Sequence, residues 1–170
     1  MSTSLADLIT AMGQKARASS RLCASAGPAV KEKALLRLAS LLEENEAAIL
    51  AANATDTAAA EERGITGPRL ARLRLTPGII GEMAAACREL AAMPDIVGAQ
   101  DSQWRRPNGL LVGRMRVPLG VIAMIFESRP NVTVDSAILC LKAGNAVILR
   151  GGSEALHSNL YLMGLIRTAL

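Results

Sequence analysis

The sequence predicts an α/β fold in three parts: a helical N-terminal segment, a β-hairpin ribbon, and the first βαβα of an open parallel sheet. Three observations carry this. Helical periodicity and helix caps fill the first 93 residues. Pro107-Asn108-Gly109 stands between two extended runs. Val117 to Ser153 then reads as strand, loop, helix, strand and a Gly-Gly-Ser turn.

In residues 3–24, apolar side chains at 5, 8, 9, 12, 16 and 23 share one helical face. Gly27-Pro28 breaks that helix, and Pro28 suits the first turn of the next, whose Ala34, Leu35, Leu38, Leu41 and Leu42 line one side. Asn45 is the expected cap of a third helix, which stops at Gly64. Gly67-Pro68 opens a short basic turn over Arg69–Leu75. Thr76-Pro77 combines a capping hydroxyl with proline at the first helical position. Ile80, Met83, Ala84, Cys87 and Leu90 then form a core face up to Pro94.

The ribbon pairs Gln103–Arg106 with Leu110–Val117. Asn108 and Gly109 both tolerate positive φ, and Gly113 marks a bulge or a crossing. Its arginines 105, 106, 114 and 116 set it apart from a core element; such a ribbon bridges to another subunit or domain.

Val121–Phe126 is a short apolar run with β-branched residues, expected to be buried on both faces. Asn131 is the expected N-cap of a helix through Lys142, and Gly144 its left-handed C-cap. Ala146–Leu149 is the second strand, parallel to the first. A final helix follows Ser153 through Leu156, Leu160, Met163 and Ile166, and it needs a further parallel strand to return to. The chain therefore reads as the front part of a larger protein.

Composition narrows the function. Trp104, Phe126 and Tyr161 are the only aromatic residues, and the net charge of +4 is spread among acids, so a base-stacking or basic nucleic-acid surface is disfavoured. No run is long and apolar enough to span a bilayer, and no secretory leader is visible. Gln14–Arg21 has the Arg/Ser character of a transit peptide, but Asp7 and the continuing periodicity make it an ordinary helix. Cys23, Cys87 and Cys140 lack metal or disulfide spacing and sit on apolar faces, which fits a reducing cytoplasm and structural thiols. One histidine, His157, leaves a zinc site short of ligands and reads as a surface or packing residue. Asp135 reads as solvent-facing.

In an open parallel sheet the ligand lies at the carboxyl ends of the strands. Those ends are Glu127-Ser128-Arg129-Pro130-Asn131 and Arg150-Gly151-Gly152-Ser153. The second combines a guanidinium, two residues that let a ligand approach the backbone, and a helix start, which together suit a phosphate. Equally, Arg150 and Ser153 simply cap a strand and a helix. The sequence lacks a GxGxxG. Asn131 either caps its helix or lends its amide to a developing oxyanion.

The run VPLGVIAMIFESRPNVTVDSAILCLKAGNAVILRGGSEALHSN, with Ile49–Asn53 and Asp56, Arg72–Thr76, and Met93-Pro94-Asp95 with Val97-Gly98, resembles the γ-glutamyl phosphate reductase family (glutamate-5-semialdehyde dehydrogenases) of the aldehyde dehydrogenase superfamily. The resemblance implies a Rossmann-like sheet of aldehyde dehydrogenase type. It implies NADPH-dependent reduction of L-glutamyl 5-phosphate to L-glutamate 5-semialdehyde and phosphate in proline biosynthesis. It also implies a cytoplasmic homo-oligomer and contact with the kinase that makes the acyl phosphate. It divides the chain into a helical segment at 1–98 packing on the cofactor domain, a ribbon at 99–119, and the first part of the NADP-binding domain at 120–170.

Ordinary aldehyde dehydrogenases end the second strand on a lysine and bind the adenosine ribose with a glutamate three residues later. Arg150 and Ser153 stand in those places here. Losing the acid and gaining the guanidinium favours a 2′-phosphate, hence NADPH, with Glu127, Ser128, Arg129, Gly151 and Gly152 completing the cofactor edge. Asn131 is the implied oxyanion donor. The family's nucleophilic cysteine has no counterpart here, since none of the three cysteines matches its motif, so this chain alone is expected to be inactive. Two other readings remain: a non-catalytic interaction module, or an aldehyde dehydrogenase-like enzyme for a different acyl substrate.

Overall fold

The computed structural model describes residues 4–170, so Thr3 of the first expected helix lies outside the described residues. Helix α1 (Leu5–Ser25) starts on a capping box: the Ser4 hydroxyl accepts the Asp7 N–H, and the Asp7 carboxylate accepts the Ser4 N–H. Its expected core face is largely uncovered, with Leu5, Leu8 and Ile9 all more than half exposed. From Met12 onward α1 lines a cleft with the body of the chain, and Ser20 is buried against it.

Helices α2 (Pro28–Glu44), α3 (Glu46–Glu62), α4 (Gly67–Leu73) and α5 (Pro77–Ala92) follow the predicted punctuation. Pro28 and Pro77 occupy first-turn positions, and the Thr76 hydroxyl accepts the Ile79 N–H at 3.2 Å. Asn45 precedes α3 without capping it through its side chain. Its amide instead donates to Leu41 O at 2.8 Å and its carbonyl accepts the Tyr161 hydroxyl at 3.2 Å.

Strands β1 (Gln100–Arg105) and β2 (Leu111–Met115) form the expected antiparallel ribbon. The turn differs from the two-residue form that Asn-Gly favours. Gly109 donates to Arg106 O at 2.9 Å with φ +86°, and Asn108 keeps negative φ. Pro107 at the second turn position presets this type I turn, and Gly109 supplies its left-handed residue. The register shift falls at Asp101, between Gln100 and Ser102, and Gly113 pairs regularly with Gln103. Almost every ribbon residue is exposed.

Strand β3 (Val121–Ile125) pairs in parallel with β4 (Ala146–Arg150), from Val121 opposite Ala146 to Ile125 opposite Arg150. The intervening helix α6 (Asn131–Lys142) ends in a Schellman motif: Gly144, at φ +72°, donates to Leu141 O at 3.0 Å, and Asn145 donates to Cys140 O at 2.8 Å. The strands are not buried on both faces; Ile125 is 75% exposed, because a two-stranded sheet leaves edges and one surface open.

A 3-10 turn (Ser153–Ala155) leads into α7 (Leu156–Ala169). One core unites the helical segment with the strand-helix unit: Leu35, Leu42, Ile49, Ile80, Val134, Ile138 and Leu162 are all buried in it. Each removes a large apolar surface from water, worth about 2 kcal/mol. Lys31 is also buried, its ammonium 2.8 Å from Asp95 Oδ2. Lys142 Nζ donates to Met93 O at 2.5 Å, at the same junction of α5 and α6.

Candidate cofactor edge at the carboxyl ends of β3 and β4

Parallel pairing starts the two polar loops side by side, and the Phe126 N–H extends the ladder to Arg150 O at 3.0 Å. Glu127, Arg129, Arg150 and Ser153 are exposed, while Ser128, Asn131, Gly151 and Gly152 are half-buried. The loops are tied together by a residue the sequence reading did not single out. The Ser128 hydroxyl donates to Glu154 Oε1, 26 positions away.

Both glycines of the turn face close neighbours. A Cβ on Gly151 would collide with the Asn159 amide and lie 3.1 Å from Phe126 Cζ. Asn159 is itself held by the Thr133 hydroxyl at 2.9 Å, and Thr133 is fully buried in α6. A Cβ on Gly152 would lie 2.6 Å from both carboxylate oxygens of Glu154. The turn therefore has packed side chains on one side and a carboxylate on the other.

Glu154 is held below the ordinary glutamate range by the Ser128 hydrogen bond and its own backbone N–H; burial opposes this, and the nearby charges of Arg69 and Arg150 add to it. Arg69 is a second residue the sequence reading passed over. It reaches this edge because α4 packs there: Leu70 joins Leu73, Ala60 and Ala155 in a small separate core. No spacing between 69 and 154 announces that contact.

The expected open helix N-terminus is absent. Ser153 makes no side-chain cap. The start of α7 is satisfied by Asp56, whose Oδ1 accepts the His157 N–H at 3.1 Å and whose Oδ2 accepts the Ser158 N–H at 2.8 Å. His157 Nδ1 also lies 2.8 Å from Asp56 Oδ1, with the ring mostly in solvent. Asp56 is held in turn through Ser158, whose hydroxyl also meets the Asn53 amide at 3.1 Å. Carboxylates thus already occupy the places that bare N–H groups were expected to offer an anion.

Asn131 is the first residue of α6, not its cap, because Pro130 already holds helical dihedrals. Its amide donates to Asp135 Oδ2 at 3.1 Å. Asp135 is half-buried rather than solvent-facing, and burial raises its pKa against that hydrogen bond. Burial also raises all three thiols, Cys87 to about 11, so none resembles an activated nucleophile. A cleft of about 700 Å³ lies elsewhere, between α1, α2, α6, β4 and α7, lined by Leu35, Ile138, Leu149 and Met163.

Comparison with known structures places this architecture. The chain has the fold of the N-terminal part of the aldehyde dehydrogenases. A NAD-dependent benzaldehyde dehydrogenase from Corynebacterium glutamicum superposes with a TM-score of 0.76 over 98% of this chain and 34% of its own, at 22% identity, a likeness of fold. Within that class the resemblance to γ-glutamyl phosphate reductase is borne out. The reductase of Nitratidesulfovibrio vulgaris (strain DP4) is 68% identical over 98% of this chain and 40% of its own length. The crystal structure of the Thermotoga maritima enzyme matches with a TM-score of 0.88 and 43% identity, over 92% of this chain and 38% of its own. The chain thus spans about two fifths of the relatives it matches, 40% in the first case. No protein-family model matches it.

Proposed function

We propose that this chain is the cofactor-side portion of an NADPH-dependent reductase that converts L-glutamyl 5-phosphate to L-glutamate 5-semialdehyde and phosphate, in proline biosynthesis. The observation that carries the reading is the 68% identity to a γ-glutamyl phosphate reductase over 98% of the chain, which includes both strand-end loops. A cytoplasmic setting, a homo-oligomer and contact with the kinase that makes the acyl phosphate belong to the same reading. So does the division into a helical segment at 1–98, a ribbon at 99–119 and the start of the NADP-binding domain at 120–170.

The residues present fit a phosphate-bearing dinucleotide. Beside Gly152 an anion is already held by a hydroxyl, in the field of two guanidinium groups. NADPH supplies the hydride when bound. In this reading Arg150 would hold the 2′-phosphate, and Ser153, where an acid would repel that group, would leave room for it. The backbone at Gly151 and Gly152 lets the ligand approach, and Glu127, Ser128 and Arg129 close the opposite loop. Asn131 keeps Asp135 with one N–H. Its other N–H serves a developing oxyanion. The attacking thiolate comes from outside these residues, since burial raises Cys23, Cys87 and Cys140.

The test is NADPH oxidation with glutamyl phosphate by the natural full-length protein and its Arg150→Gln variant. The expected result is activity with NADPH, with the KM for NADPH raised about tenfold in the variant. Absence of NADPH-dependent reduction of any acyl phosphate rejects the enzyme reading. Faster turnover of aspartyl phosphate assigns a different acyl substrate.

A further inference from the structure

Glu154 sits at this edge as a bound anion that belongs to the chain itself. The Ser128 hydroxyl, from the loop after β3, holds its carboxylate across the strand ends, and Gly152 lies beneath with no Cβ to exclude it. Arg150 ends β4 at the start of the same turn. Arg69 approaches from α4, whose Leu70 and Leu73 pack with Ala155, the residue following Glu154. Packing thus fixes where the Arg69 backbone stands relative to the turn. Both cations lie near this carboxylate but beyond ion-pair distance, and its one side-chain hydrogen bond is to a neutral hydroxyl.

We infer that Glu154 is a displaceable internal competitor for the ligand's phosphate, and that Arg69 joins Arg150 as a specificity-determining residue for a phosphomonoester. The inference rests on the cofactor reading above and adds a residue and a device to it. A dianionic phosphate offers both guanidinium groups more charge and more acceptor oxygens than a carboxylate does. On its arrival the Glu154 side chain leaves Ser128 and turns to solvent, and the two arginines, unpaired with Glu154, close on the phosphate. A dinucleotide lacking that phosphate gains nothing from the exchange. Glu154 therefore weakens binding generally, and Arg69 sharpens the preference for the phosphorylated form.

The test is calorimetric titration of the natural full-length protein with NADP⁺, NAD⁺ and inorganic phosphate. Glu154→Gln is expected to bind NADP⁺ about tenfold more tightly, with a smaller gain for NAD⁺. Arg69→Gln is expected to lose about tenfold for NADP⁺ with little change for NAD⁺. Glu154→Ala, which removes the carboxylate altogether, is expected to tighten NADP⁺ likewise, and it serves if Glu154→Gln does not fold. Unchanged or weaker NADP⁺ binding in Glu154→Gln overturns the competitor role. Equal losses for both dinucleotides in Arg69→Gln overturn the specificity role. If the unsubstituted protein binds neither dinucleotide, the cofactor reading fails on its own. Inorganic phosphate then decides the anion site: it binds more tightly to Glu154→Gln and more weakly to Arg69→Gln if the inference holds, and equally to both if it does not.

Discussion

Asp56 caps a helix that begins 100 residues further along the chain: its Oδ2 accepts the Ser158 N–H at 2.8 Å and the Ser158 hydroxyl at 2.7 Å, across a separation of 102 positions. The carboxylate is almost fully buried and joins α3 to α7. Replacing it by alanine orphans two N–H groups and a hydroxyl. Asp56→Ala is expected to cost about 3 kcal/mol of stability, read from the urea midpoint. His157→Ala, at an exposed ring, is expected to cost under about 0.5 kcal/mol. Equal effects of the two would show that the His157 ring contact, rather than the cap, holds the junction.

Lys31 and Asp95 set the acid limit of the α2–α6 junction. Burial pushes the Asp95 carboxyl upward, but the Lys31 hydrogen bond, the Val97 N–H and the charges of Lys31 and Lys142 outweigh it, and the net shift is downward. A folded-state pKa below the unfolded one adds stability that is present above the ordinary aspartate range and is lost as pH falls through the folded value. Acid unfolding should therefore steepen as pH falls below the ordinary aspartate range, and Lys31→Met should flatten that region. Asp95→Ala leaves a buried ammonium with only the Lys142 carbonyl 3.5 Å away, and is expected to cost about 3 kcal/mol. A pH profile identical in Lys31→Met and the parent would remove the pair from the account.

Gly144 combines two constraints. Its φ of +72° disfavours any Cβ, and that atom would lie 2.9 Å from Pro118 Cγ. Gly144→Ala is expected to destabilise by about 2–3 kcal/mol, seen as a lower midpoint with an unchanged denaturant slope. A change under about 0.5 kcal/mol would mean that this turn relaxes freely.

Cys87 should resist alkylation. With its pKa raised to about 11, chiefly by burial and next by the nearby Asp135 charge, the thiolate fraction at pH 8 is about one part in a thousand. Iodoacetamide should label Cys87 only after denaturant is added, as mass spectrometry of its peptide would show. Rapid labelling in native buffer would mean that the α5–α6 core opens locally.

The sequence by itself determined the elements and the parallel pairing. Local chemistry suffices for that: Pro28, Thr76-Pro77 and Gly144 state helix limits within a few residues, and two apolar runs joined by a helix pair in parallel. It also carried the resemblance, because the ESRPN and RGGSEA runs are contiguous. The nature of the hairpin turn was less legible, since Pro107 overrides the two-residue preference of Asn108-Gly109. What only the tertiary structure decided is which distant groups meet. The start of α7 seemed open to an anion until Asp56 arrived from α3, and Glu154 and Arg69 drew no notice until packing of α4 on Ala155 brought them to the strand ends. The α1 stripe at Leu5, Leu8 and Ile9 has helical spacing, yet it lies exposed. Periodicity tells which face of a helix is apolar; only the packed chain decides what that face touches, because contact is a property of two surfaces and each sequence segment specifies one.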